Sequence, residues 1–419
     1  MIYIEKLSLK NVGKYTWQTF IDNFLSSKQS RTYILEEVMP GMSRSYINTD
    51  MLTPYVLPKL KGVTLGKYFG TTGIDIDLLL AGNIEIENLV IEISLDNLNS
   101  LPKSKIKKLL EQHIIILNDF EEGGNFFGHK GLVDFLVERN IKPKKLFLVG
   151  GCFQQHDYPE LNIIRVDYDY WMIISATVNE DFSRAILDKA YQQSLLDRLD
   201  NAPENFCIIP IFKPRKHRMD FLCYLDSIGV LNKCDWSLAY NYNNKINSYR
   251  SLNVKNLEIG KQEEDFLSKY TFPKLLSKNA GTEWKDIIAP SMNCFNQYKY
   301  FVSVETYLGH ERKTQLGDCG FMTEKTFKLF LTGSAPIVYG PAGSVDRLHM
   351  LGFKTIDNTL DTTDYVSVGD LINSLHAQPR YERELIKHNF ERITDKEFLS
   401  NHVAQTLNKI ADLINSIRR

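Results

Sequence analysis

Residues 298–341 constrain the fold most. They read Tyr-Lys-Tyr-Phe-Val-Ser-Val-Glu-Thr, then a polar interval, then Phe-Met-Thr-Glu-Lys-Thr-Phe-Lys-Leu-Phe-Leu-Thr-Gly-Ser-Ala-Pro-Ile-Val-Tyr-Gly-Pro. The first run is a buried strand ending in polar residues. Over 323–332 the apolar residues Phe327, Leu329 and Phe330 recur at helical spacing. Thr323 is a natural N-cap, Glu324 falls in the first turn, and Thr326 and Lys328 are expected to face out. Gly333 is placed to end the helix, and Ala335 to Tyr339 is the next buried strand. A strand, loop, helix, strand unit of this kind builds a parallel sheet.

In such a unit the strand end, the helix N-terminus with its N–H groups, and Lys325 converge on one crevice. That combination suits a diphosphate. Glu324 accepts two hydroxyl hydrogen bonds and so suits a ribose diol one step further along a nucleotide. The plain alternative is that Thr-Glu is half of an N-terminal cap and Lys325 is solvated.

The pattern of Ser303, Glu305 and Thr306, then Phe321, Thr323, Glu324, Lys325, Phe327 and Lys328, then Gly333, Pro336, Gly340, Pro341 and 351–355, resembles a family of glycosyltransferases. The resemblance is to the nucleotide-sugar-binding half of phage, viral and bacterial members, distantly similar to α-1,3-fucosyltransferases. It implies two Rossmann-like α/β domains facing across a cleft, the GT-B architecture. It also implies a nucleoside-diphosphate sugar as donor and no essential metal or other cofactor. The donor-binding residues it implies are Ser303, Glu305, Thr323, Glu324, Lys325 and Gly340.

Composition narrows the class. Apolar residues make up 43% and charged ones 24%, as in an ordinary globular chain. The net charge is −1, so no bulk charge argues for nucleic acid, although a local basic groove is compatible with a neutral total. Cys152, Cys207, Cys223, Cys234, Cys294 and Cys319 are scattered without metal-ligand spacing and read as reduced thiols of a cytoplasmic protein. Glu5, Lys6 and Lys10 interrupt the N-terminus, and no apolar run reaches about 20 residues, so neither a signal peptide nor a membrane span is expected.

Residues 1–60 match none of these motifs, and Gly70-Thr-Thr-Gly73 reads as turn chemistry. A doubly wound rhythm begins at Asn88. Strands are expected at 89–93, 114–117, 145–149 and 162–166, and helices at 104–112 and 131–139, so that 88–170 forms a Rossmann-like half. Asp119, Glu121 and Glu122 follow the 114–117 strand where such a domain presents a general base to an acceptor hydroxyl. His156 and Asp157, after 145–149, are next in line. Three acids beside glycine are also what a solvated loop looks like. Asp167-Tyr-Asp169 matches a metal-and-diphosphate motif, but Asp75-Ile-Asp77 matches it equally, and no metal site is expected.

Residues 180–204 read as one long amphipathic helix ending at the domain boundary. A strand at 206–212 leads into Lys213-Pro-Arg-Lys-His-Arg218 and a helix that Gly229 ends. In the family, similar basic sequences open the second domain. The matching positions here are Arg215, Arg218 and His217, with Lys213 in place of an arginine. Clustered cations there would neutralise a leaving diphosphate, with Arg215 and Arg218 acting in catalysis and Lys213 and His217 in donor binding. Further helices are expected at 263–280, 368–375 and 396–417.

The domains are accordingly expected as 1–200 for the acceptor, 205–395 for the nucleotide sugar, and 396–419 as a terminal helix returning to the first domain. The acceptor is a glycan hydroxyl or a hydroxymethylated base in phage DNA. A non-catalytic sugar-nucleotide- or glycan-binding module is the reading of a different class. The sequence leaves the oligomeric state open.

Overall fold

The computed structural model describes the chain from Thr64 onward apart from residues 70–71, 74–75, 83–88, 95–97, 99–100, 120–135, 151–160, 168, 170–171, 173–174, 177–179, 212–213, 239–259, 273, 275, 277–294, 306–307, 309–321, 400, 403–404, 406–411 and 413–419. The fold is mixed α/β with two sheets, each largely or wholly parallel. The chain divides into two compact units. The first comprises Met1–Tyr170, Gly309–Cys319 and Lys396–Arg419, and the second Trp171–Leu308 and Gly320–Asp395.

In the first unit, strands β1 (Thr64–Phe69), β2 (Thr72–Gly73), β3 (Leu89–Ser94), β4 (Ile114–Asp119), β5 (Lys145–Gly150) and β6 (Ile163–Asp167) form one sheet in the order β2-β1-β3-β4-β5-β6. Only β2 runs antiparallel to its neighbour. Helix α1 (Ile76–Leu80) and helix α2 (Lys103–Gln112) contribute Ile76, Leu79, Ile106, Leu109 and Leu110 to a core that also takes Ile91, Ile93, Ile115, Leu117, Leu146 and Leu148 from the strands. The apolar stripe of α2 at i, i+3 and i+4 fits one face of a helix laid on a sheet.

The second unit starts with helix α3 (Glu180–Leu187), helix α4 (Lys189–Leu196) and a 3-10 turn, Asp197–Asp200. The single helix expected over 180–204 is thus interrupted. Asp188 adopts extended backbone, and its carboxylate accepts from the N–H groups of Ala190 and Tyr191 at 3.0 and 3.1 Å, so α4 has its own N-cap. Then come β7 (Asn205–Pro210), α5 (Lys216–Ser227), β8 (Cys234–Ser237), α6 (Lys261–Lys269), β9 (Tyr298–Val304), α7 (Glu324–Phe327) continued by a 3-10 segment Lys328–Leu331, β10 (Ala335–Tyr339), α8 (Ser344–Met350), α9 (Tyr365–Ala377) and α10 (Arg383–Ile393). The strands form a parallel sheet in the order β10-β9-β7-β8.

All five residues of β10 and the last five of β9 are buried, as in a strand covered on both faces. Gly333 has φ +71, and a Cβ there would lie 2.8 Å from the Asn296 backbone nitrogen, so glycine ends the 3-10 segment for two reasons.

The order of this second sheet has a functional consequence. β7 and β9 are neighbours, yet β7 leads on to β8 at one edge and β9 to β10 at the other. Such a pair is a topological switch point, at whose carboxyl edge α/β sheets bind ligands. Among the described residues no helix is long and apolar enough to cross a membrane.

Candidate functional site at the carboxyl edge of the second sheet

Glu305 follows β9 directly and extends the ladder, its N–H donating to Tyr339 O at 2.8 Å. Its side chain is fully buried. The carboxylate accepts from the Thr323 N–H at 3.0 Å, the Thr323 hydroxyl at 2.6 Å and the Thr326 hydroxyl at 2.6 Å. Glu305 therefore anchors the start of α7 to the end of β9. Thr326 is buried by this bond, contrary to its expected outward position. Ser303, also buried, lies 3.4 Å from the Thr326 hydroxyl. At Gly340, just past β10, a Cβ would meet Glu305 Cγ at 3.1 Å and Val338 Cγ1 at 3.3 Å, so glycine lets the carboxylate reach the helix.

The basic stretch before α5 splits into different tasks. His217 and Arg218 are buried. His217 Nε2 donates to the Glu305 carbonyl at 3.0 Å, and Arg218 donates to the same carbonyl from Nε at 3.3 Å and Nη2 at 3.0 Å, with Nη2 also 3.2 Å from Val304 O. These two side chains tie the start of α5 to the end of β9 at the switch point. Lys216 instead donates to Asp220 and Glu263, tying α5 to α6, and those bonds outweigh burial and raise its pKa. Arg215 occupies the N-cap position of α5 and is half-buried.

Two of the N–H groups expected to face a phosphate are engaged by side chains: Thr323 N–H by Glu305, and Lys325 N–H by the Thr323 hydroxyl at 3.3 Å. What this edge offers an anion is cationic side chains. Lys325 Nζ donates to Glu324 Oε1 at 2.8 Å and to the Thr323 hydroxyl at 3.2 Å. Burial alone would raise the Glu324 carboxyl, but Lys325 and then Lys328 outweigh it and hold it below the ordinary carboxylate range. Glu324 is thus an ionised, buried acceptor suited to hydroxyl donors.

Lys328 is the residue that sequence reasoning missed. It lies four positions after Glu324, one turn on along the same helical face, and that spacing was the available signal. Burial pulls its pKa down to about 8, against Glu324 and Glu305, with Lys325 and Arg218 pushing the same way as burial. The edge therefore collects Lys325, Lys328 and Arg218 around Glu324 and Glu305.

Of the acceptor-side acids, Asp119 is the last residue of β4, in register with Gly150 of β5. Glu121, Glu122, His156, Asp157 and Lys213 lie outside the described residues. Asp169 is buried in the first unit, its Oδ2 3.1 Å from His402 Nε2. Among the described residues no group of three or more His, Cys, Asp or Glu is placed to hold a metal ion. Comparison with family models, with curated proteins and with solved structures returns no match.

Proposed function

We propose that the chain is a GT-B glycosyltransferase that moves a sugar from a nucleoside-diphosphate sugar to an acceptor hydroxyl without an essential metal. The observation that carries this reading is the gathering of Lys325 and Lys328 around an ionised, buried Glu324, with Arg218 beside them on the Glu305 carbonyl, at the switch point of the second sheet. The cations match a diphosphate whose charge grows as the sugar leaves, and Glu324 matches a ribose diol. In this reading Lys325 and Lys328 contact phosphate, and Arg218 and His217 hold the β9 end against which the donor lies. Arg215 remains the arginine assigned to the leaving group.

The proton of the acceptor hydroxyl goes to a first-domain carboxylate, Glu121, Glu122 or Asp119, if the reaction inverts configuration. The protein is assigned to the cytoplasm on its free Cys207, Cys223 and Cys234. The acceptor is a glycan or a hydroxymethylated base in DNA.

Thermal scanning against UDP-, GDP-, CMP- and dTDP-sugars, coupled to an assay for released nucleotide, tests the proposal. One donor should raise the melting temperature and be turned over, if only by slow hydrolysis. Tight binding without any nucleotide release would instead identify a binding module.

A further inference from the structure

We propose that the first unit docks the phosphate backbone of duplex DNA on a lysine face formed by α2 and the turn that enters β5. This inference stands on the first unit alone and goes beyond the donor chemistry of the second. α2 buries Ile106, Leu109 and Leu110 and leaves Lys103, Lys107 and Lys108 exposed. The N–H of Lys144 donates to Leu110 O at 2.8 Å, which brings residues 142–145 to the end of the same helix. Lys142 and Lys144 are exposed there and Lys145 is half-buried. Lys144 is close enough to His113 to lower its pKa, second to burial.

Charge is separated at this face. The helix holds four lysines and residues 141–145 hold three, against Glu111 as the one acid of both segments. Asp77 engages Lys105 at 2.5 Å and Glu111 lies 3.8 Å from Lys107. Among the described residues Lys103, Lys108, Lys142, Lys144 and Lys145 are in no ion pair. In a chain with 50 basic and 51 acidic residues, so local an excess is not a reflection of bulk composition.

The chemistry of the face selects among polyanions. Duplex DNA carries one negative charge per about 1.7 Å of axis, and lysines are point charges that neutralise phosphates without reading bases. The exposed positions of α2 that are not lysine hold Ser104, Glu111 and Gln112. They offer no aromatic ring on which a single-stranded base would stack and no large apolar group that would enter a bilayer. Docking there would favour a base-borne hydroxyl over a glycan as the acceptor.

Fluorescence anisotropy of a labelled DNA duplex against the full chain, in a salt series, tests the inference. Five unpaired lysines should give a slope of log affinity on log salt of about −4 to −5. The variant K103Q/K107Q/K142Q/K144Q, with its fold checked by circular dichroism, leaves Lys108 and Lys145 of the unpaired set and should bind at least ~100-fold more weakly at low salt, with a slope near about −2. Should that variant unfold, the single changes Lys103→Gln and Lys144→Gln each reduce the slope by about one. The inference is overturned if wild type does not bind at low salt, or if the variants bind like wild type. It is equally overturned if anionic vesicles or an acidic polypeptide displace the duplex at equal charge. The thermal response to nucleotide sugars should be the same in wild type and variant, so failure on DNA leaves the donor reading standing and the reverse.

Discussion

The guanidinium of Arg218 donates twice to the backbone carbonyl of Glu305, from Nε at 3.3 Å and from Nη2 at 3.0 Å. The side chain of that same Glu305 holds Thr323 and Thr326. One residue thus links the α5 start, the β9 end and the α7 start, and the cations of the edge are positioned through it.

Arg218→Ala leaves the Glu305 and Val304 carbonyls buried without their charged donor. Loss of such bonds costs roughly 1.5–3 kcal/mol, so denaturant unfolding should show a destabilisation in that range. Arg215→Ala should depress turnover more than donor affinity, as the leaving-group role assigned to it requires. Loss of donor affinity alone in the Arg215 variant would contradict this division of labour.

Glu305→Gln keeps shape but sets an amide NH2 against one of three donors. It should destabilise by about 1–3 kcal/mol, the cost of a buried donor left unmatched. Gly340→Ala brings a methyl to 3.1 Å from Glu305 Cγ and should cost on the order of 1 kcal/mol by crowding. A Gly340→Ala protein as stable as wild type would show that the Glu305 side chain gives way freely.

Donor affinity should depend on pH through Lys328. Its pKa is about 8 in the unliganded protein against 10.5 for an ordinary lysine, and a diphosphate beside it would raise the value again. Binding then takes up a proton wherever the free site is partly neutral. Affinity should be greatest below about pH 7 and fall as pH rises through 8, with a slope approaching tenfold per unit. The folding contribution has the opposite sign: the lowered native value penalises the charged form below pH 8, and the penalty fades as pH rises toward 10.5. Calorimetric titration in buffers of different ionisation enthalpy measures the uptake, and Lys328→Met should abolish it.

The strands at 298–304 and 335–339, the cap at Thr323 and the stop at Gly333 were legible because each is written in neighbouring residues. The work of Glu305 was not. It was expected to bind the donor, but its partners lie 18 and 21 residues away, and Arg218 reaches it across 87. Local pattern says which side chains are charged and near a strand end, and tertiary packing decides which of them are engaged by the protein itself. The same holds for the break at Asp188, where a side-chain cap interrupts an amphipathic run that periodicity alone joins.

The acceptor-side base is tested by changing Asp119, Glu121 and Glu122 singly to their amides. One variant should lose at least ~100-fold in turnover at saturating donor while still binding nucleotide. Retention of turnover in all three would move the base to His156 or Asp157, or indicate a retaining reaction.

The most direct test of the central claim is isothermal titration of the nucleoside-diphosphate sugar that most stabilises the protein, into wild type, Lys325→Ala and Lys328→Ala. Each lysine should contribute roughly 1.5–3 kcal/mol of binding free energy, as charge-assisted hydrogen bonds to phosphate do. Affinity should therefore fall by about ten- to 150-fold in each variant. Unchanged affinity in both variants, or no binding of any nucleotide sugar to wild type, would contradict the assignment of the second sheet's carboxyl edge as the donor site.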